Sequence, residues 1–188
     1  MTGRYPTVTG IEANDAKLPL EEVGIAEVFR DHGYMTQYIG KWHLNGETPD
    51  PLADPGWVEP DDRQGFKKWL AFNYAHVYYR SKYYLNDDPT LRTIPEGEYE
   101  PDFQTDRAIQ FITNHHDRQF CLFLSIGTPH PKCLNSGDLL PPGGDDYEFP
   151  YDPDSLTLRP NVDYADLDSA REKYADYLDN VTLEIMSP

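Results

Sequence analysis

Hydrophobic and polar positions along the chain follow two periods. Between Leu20 and Asp31, Val23, Ala26 and Phe29 recur at near-helical spacing. Glu21 and Glu22 fall in the first turn, where carboxylates complement the helix dipole, and Gly33 stands just beyond as a stop signal. Thr105 to His116 sets Ala108, Ile109, Phe111 and Ile112 on one face, with Asp106 early. Asp168 to Ile185 repeats the pattern through Ala170, Tyr174, Tyr177, Val181 and Ile185, against a polar face of Arg171, Glu172, Lys173, Asp176 and Asp179. Strand signals are shorter. Thr36–Ile39 follows Gly33 directly, and Phe120–Ile126 is a continuous apolar run, as expected of a strand covered on both faces. Helix precedes strand twice, which predicts an α/β fold with a mainly parallel sheet flanked by helices. Gly46–Asp62 and Pro131–Asp163 are rich in Pro, Gly and Asp. Loops of that length in a compact domain are uncommon unless they shape a site.

Composition narrows the classes. The 188 residues include 14 Tyr, 8 Phe and 3 Trp, far more aromatic surface than a solvating disordered chain carries. Against 33 Asp+Glu there are 16 Lys+Arg, a formal net charge of −17, which argues against duplex nucleic acid as partner because that binding depends on Lys and Arg neutralising phosphates. No apolar run approaches the ~18–20 residues of a membrane span. Two cysteines, Cys121 and Cys133, are too few for a disulfide scaffold or a four-cysteine zinc site, and Cys121, inside the apolar run, reads as an inert buried thiol. Met1 to Pro6 has no apolar segment of the kind a signal peptide carries.

The polar residues after the two strands carry the candidate chemistry. Thr36–Ile39 runs into Gly40-Lys41-Trp42-His43-Leu44-Asn45-Gly46, and Phe120–Ile126 into Gly127-Thr128-Pro129-His130-Pro131. Open α/β sheets bind ligands beyond the carboxyl ends of their strands, so Lys41, His43 and His130 are placed to converge there. Lysine supplies a point cation for an oxyanion, and histidine holds or relays a proton near neutral pH.

These residues resemble a known family. Gly33-Tyr-Met-Thr-Gln-Tyr-Ile-Gly-Lys-Trp-His-Leu44 looks like the second signature of the type I, formylglycine-dependent sulfatases, G-Y-x-T-x-x-x-G-K-W-H-L-G, with Asn45 before Gly46 as the local departure. Thr2-Gly3-Arg4 resembles the end of the first signature. Thr105-Asp-Arg-Ala-Ile109 and the run from Phe120 to His130 resemble the family's T-D-x-A-I helix and F-F-L-x-x-S-x-x-x-P-H segment. Leu158-Arg-Pro-Asn161 and Tyr174–Val181 also have counterparts.

The resemblance implies a partial alkaline-phosphatase-like fold and the hydrolysis of an aryl or carbohydrate sulfate ester. Lys41 matches the lysine that contacts a sulfate oxygen and the nucleophile. His43 matches the histidine beside the hydrated aldehyde, and His130 the one that binds the ester near its leaving oxygen. Arg4 matches an arginine that supports the nucleophile helix. The resemblance also implies calcium and a formylglycine, but neither Cys121 nor Cys133 fits C/S-x-P-x-R, and the family's Asp pair and D-H-G or D-N-G ligands have no counterpart. The expectation is therefore that residues 1–188 form the central part of a sulfatase catalytic domain, incomplete at both ends. Such a piece is expected to be inactive alone, and its compartment stays open, although resemblance to a family whose members are usually periplasmic or secreted points that way for a full-length protein. Oligomeric state is not expressed in the sequence.

Two other readings stay open: a phosphodiesterase or phosphonate hydrolase of the same superfamily, and a non-catalytic remnant or glycan-binding module. The net charge opposes a sulfated substrate at long range, yet binding is decided locally, where Lys41 and two histidines outweigh a distant acidic surface. Tyr74, Tyr78, Tyr79, Tyr83 and Tyr84, with Trp69, Phe72 and His76, form an aromatic stretch that reads as core packing or as a platform for a sugar ring. His115-His116 suits a helix C-terminus. Asp152-Pro-Asp154 fails as a calcium loop, because Leu156 holds its fifth position and Thr157 the place of the required glycine. Asn180-Val-Thr182 fits the glycosylation pattern but falls within a helix.

Overall fold

A computed structural model describes residues 1–130, 151–162 and 167–186. In chain order the elements are α1 (Pro6–Thr9), α2 (Ile25–Asp31), β1 (Met35–Lys41), β2 (Lys68–Phe72), β3 (Lys82–Leu85), β4 (Asp88–Thr93), α3 (Glu100–His115), β5 (Phe120–Ser125) and α4 (Leu167–Met186). One five-stranded sheet runs β4-β3-β2-β1-β5. Its centre is parallel, with β1 between β2 and β5, and the β3–β4 hairpin extends it antiparallel.

Alternation along the central strands divides the core into two layers. Tyr38 on β1 and Trp69 and Ala71 on β2 join Ala26 of α2, Trp42, Val58, Phe66 and Tyr84 on one face. Ile39 and Leu70 point the other way, onto Phe103 and Ala108 of α3 and Ile94. Polar positions within β1 are satisfied locally. The Thr36 hydroxyl donates to the Gly65 carbonyl (2.7 Å) and accepts from the Lys67 amide, and Gln37 donates to the Tyr38 carbonyl. Gly40 has φ +107°, and a Cβ there would lie 2.1 Å from the Ser125 carbonyl oxygen, so glycine alone lets β1 and β5 approach this closely.

Several elements differ from the sequence expectation, each for a local reason. The helix expected from Leu20 starts at Ile25, because the Glu27 carboxylate accepts the Gly24 amide (2.8 Å) and fixes the entry there; Leu20 and Val23 are exposed. The helix expected from Thr105 begins at Glu100, with Pro101 in the first turn, where its missing N–H costs no hydrogen bond. The strand expected over Thr36–Ile39 continues to Lys41. The Phe120 run forms β5, but it lies at the sheet edge rather than between covered faces, and Phe123 and Leu124 are 39 % and 36 % exposed.

The aromatic stretch divides. Trp69 and Phe72 belong to β2, Tyr83 and Tyr84 to β3, and Trp69, Phe72, Tyr78 and Tyr84 are buried, so packing accounts for most of it. The last helix lies where its period placed it. Among its described side chains Ala175 and Asp179 are buried, whereas Tyr174 and Tyr177, expected on the apolar face, are 41 % and 45 % exposed. Cys121 is half-buried on β5, and burial raises its thiol pKa, in keeping with an unreactive thiol. Cys133 and most of Pro131–Asp163 lie outside the described residues.

Candidate active site

Three parallel strands finish at one edge of the sheet. Lys41 pairs with Phe72, and Gly40 with Ser125, so β1, β2 and β5 end nearly level and the segments that follow them meet. Residues 42–46 leave β1, residues 73–76 leave β2, and residues 126–130 leave β5. The structure brings Lys41, His43 and His130 to this edge as expected, and adds two side chains from the β2 exit, Tyr74 and His76.

The distances define the cluster. The Lys41 ammonium donates to His76 Nε2 at 2.8 Å and stands 4.9 Å from the centre of the Tyr74 ring. The His76 and His130 rings stack with centroids 3.8 Å apart and planes 18° from parallel. His43 packs on Tyr74 at 4.5 Å. His43 has φ +50°, in the left-handed region that non-glycine residues seldom occupy, and its amide donates to the Asn73 carbonyl (2.8 Å). The amide of Trp42 donates to the Phe72 carbonyl (2.8 Å), so the β1 exit is laced to the β2 exit on both sides of the motif's tryptophan. His130 sits in a turn closed by its own amide to the Gly127 carbonyl (3.2 Å), and the Tyr78 hydroxyl donates to the His130 carbonyl (2.7 Å).

Burial and crowding of positive charge set the protonation states. Lys41 is lowered to about 8, chiefly by burial, with the carboxylate of Glu100 working in the opposite direction. His76 is lowered to about 4 by burial first and then by the charges of Lys41, His130 and His43. His43 is lowered as well, by burial and then by Lys41, opposed by a hydrogen bond with the Asn14 backbone and by Glu47. Glu100 is buried at the start of α3 and accepts a hydrogen bond from the Ser81 hydroxyl. Near neutral pH the edge therefore presents one ammonium and neutral His43 and His76. That arrangement suits an anionic ester: the cation meets charge on its oxygens, and an imidazole serves a proton transfer.

Arg4 joins a different neighbourhood. Its guanidinium pairs with Glu22 at 2.6 Å, with the arginine side chain 52 % exposed. His115 and His116 cap the end of α3 through Nδ1 contacts with the Phe111 and Thr113 carbonyls. Asp152 caps a 3-10 turn at Pro153–Ser155 by accepting the Asp154 amide. In the sequence His76 stands out only as part of the aromatic stretch. The signal that could have placed it is the same strand-exit rule, applied to the apolar run Trp69–Phe72 and the residues after it.

The site's donors do not fit calcium. Among the described residues no group of three or more His, Cys, Asp or Glu could hold a metal ion. An ammonium and imidazole nitrogens are moreover the wrong chemistry for a cation that takes about six to eight oxygen ligands.

Comparison with known proteins gives a consistent result. A family model described as Sulfatase matches residues 1–182. The ulvan-active sulfatase of Formosa agariphila is 34 % identical over 186 residues, covering 97 % of this chain and 33 % of that protein. A Bacteroides fragilis crystal structure assigned to the sulfatases superposes with a TM-score of 0.75 at 23 % identity, over 97 % of this chain and 43 % of that one. A protein solved with its substrate D-glucosamine-2-N,6-O-disulfate superposes with a TM-score of 0.54 at 26 % identity, over 70 % of this chain and 24 % of that one. The chain thus spans about a third of the length of the ulvan-active relative.

Proposed function

The chain belongs to the sulfatase family, with the alkaline-phosphatase-like fold, and from that premise we propose that it contributes the cation and imidazole wall of a site hydrolysing carbohydrate sulfate esters. The observation that carries this reading is the meeting of Lys41 and His130 at one strand edge, bridged by His76. Lys41 binds a non-bridging sulfate oxygen. His130 faces the bridging oxygen; as the S–O bond breaks, that oxygen keeps the electron pair and takes a proton from the imidazole, leaving an alcohol. His43, neutral near pH 7, is available to accept a proton at the attacking side. Arg4 acts one step away, holding the segment before α1 against Glu22. A carbohydrate ester is favoured because the compared proteins include one named for ulvan and one bound to a sulfated glucosamine.

In the family a divalent cation and a formylglycine would polarise the sulfate and supply the attacking oxygen; the described residues hold neither, and none of the roles above depends on their position. The test is sulfate release from an aryl sulfate and a sulfated monosaccharide by the whole open reading frame that carries this sequence. Lys41→Met, which keeps the side chain's length and removes its charge, is expected to lower kcat/KM by about 10²–10³, the usual cost of one preorganised charge-stabilising group. A wild-type protein that releases no sulfate, or a Lys41→Met variant with unchanged turnover, refutes the proposal.

A further inference from the structure

The roles proposed above fall to residues at the ends of β1 and β5 and just beyond them. β2 flanks β1 on the side away from β5, yet its exit supplies a side chain, His76, that touches both Lys41 and His130. We propose that His76 is a positioning residue. Its Nε2 anchors the Lys41 ammonium and its ring face seats the His130 imidazole, so that the sulfate-binding cation and the proton donor are held at one separation. This inference rests on the sulfatase reading for its kinetic consequences, though not for its geometry.

The two contacts make different demands. An ammonium only donates, so the 2.8 Å contact requires a lone pair on Nε2 and places the ring hydrogen on Nδ1. The 3.8 Å stack, 18° from parallel, requires a flat ring. A glutamine would meet the first demand and a phenylalanine the second; a neutral histidine meets both. The groups facing His76 are Lys41 and His43 from the β1 exit, His130 from the β5 exit, and Tyr74 on its own segment, with Glu100 acting on Lys41 from the start of α3. Burial first, and then the Lys41 charge, hold the His76 pKa well below neutrality, at about 4, which keeps the lone pair available across the working range. Packing alone explains the stack, but it does not explain a nitrogen acceptor 2.8 Å from the lysine carried by the family signature.

The test compares His76→Phe and His76→Gln in the intact protein, with three readouts: kcat and KM across pH, the Lys41 titration followed by NMR of labelled lysine side-chain carbons, and thermal midpoints. His76→Phe keeps the stack and loses the acceptor. It is expected to lower kcat/KM about 10- to 100-fold, as for a lost hydrogen bond to a charged group, mainly through KM. Its alkaline limb is expected at lower pH, because that hydrogen bond favoured the charged lysine. His76→Gln is expected to restore the limb and KM while kcat stays low, since His130 has lost its seat. A purely structural role predicts lower thermal midpoints with an unmoved pH profile and no difference between the variants, and that result overturns the proposal. If the wild type releases no sulfate, the sulfatase reading fails alone. The NMR titration then still decides: a Lys41 pKa equal in wild type and His76→Phe overturns the positioning role, and a fall in the variant sustains it.

Discussion

The exits of β1 and β2 lie side by side, leave parallel strands at the same level, and contribute to one site, yet they are built in opposite ways. At the β1 exit the side chains carry the chemistry and the backbone needs outside support. His43 is held in a left-handed conformation, and the amides of Trp42 and His43 find their acceptors only in the Phe72 and Asn73 carbonyls of the neighbouring exit. The β2 exit is the support. Asn73 is buried, donates to the Gly46 carbonyl (2.7 Å) and accepts the Asn45 amide, so it ties the far end of the β1 loop down as well. Only then does it add Tyr74 and His76. A strand exit that presents a desolvated cation has to be fixed by something, and here its neighbour does the fixing.

Removing the floor common to both exits is expected to have the largest effect. Trp69 is fully buried on β2 and packs on Tyr38 and Trp42, each at 5.3 Å, while the Arg63 guanidinium lies 5.1 Å from its ring. Trp69→Ala in the intact protein is expected to cost about 3–5 kcal/mol, as for other large-to-small core changes. Chemical denaturation measures it, with Trp69→Phe retaining most of the loss. A cost below about 1 kcal/mol would mean that the exits do not share this support.

A smaller effect separates the exits instead of loosening both. Glu100 favours the charged form of Lys41 against the burial that lowers it to about 8. Glu100→Gln keeps a hydrogen-bonding partner for Ser81 and removes the charge. The direction follows: with its favourable carboxylate gone, Lys41 loses its proton at lower pH, and the alkaline limb of kcat/KM falls below the wild-type position. The acid limb, set by imidazoles, should move less. A limb that moves upward would show that Glu100 does not face the lysine as a charge.

How far the sequence revealed these two exits depends on what each residue does. Gly40, Lys41, Trp42 and His43 form a contiguous run whose order is dictated by backbone and charge together: a glycine for the approach to Ser125, a cation, a core tryptophan, an imidazole in a left-handed turn. Such a run is readable because every position is constrained. Residues 73–76 are constrained one at a time, mostly by partners far along the chain such as Gly46, Lys41 and His130, and nothing local distinguishes Tyr74 and His76 from the buried tyrosines that follow. The helix period located α3 and α4 but not the hidden side of α4. There the buried residue Asp179 is polar, and burial raises its carboxyl pKa against a hydrogen bond from the Tyr151 backbone. The β3–β4 hairpin leaves no sequence signal because its turn rests on Asn86 at φ +53°, whose side chain accepts the Trp69 amide, a contact no local pattern announces.

Arg4 offers the smallest expected effect and the sharpest check on what belongs to the two exits. It matched a family arginine, yet its contact is an exposed ion pair with Glu22, where solvent and side-chain entropy offset most of the attraction. Arg4→Ala in the intact protein is therefore expected to cost at most about 1 kcal/mol of stability. If Arg4 only supports the segment before α1, kcat/KM should fall less than about threefold, and raising the ionic strength should erase the difference in stability. Glu22→Gln should behave in the same way, since it removes the other half of the pair. A fall near that of Lys41→Met, without a matching loss in Glu22→Gln, would move Arg4 from support into the machinery. The site would then have three sides rather than two exits and a loop.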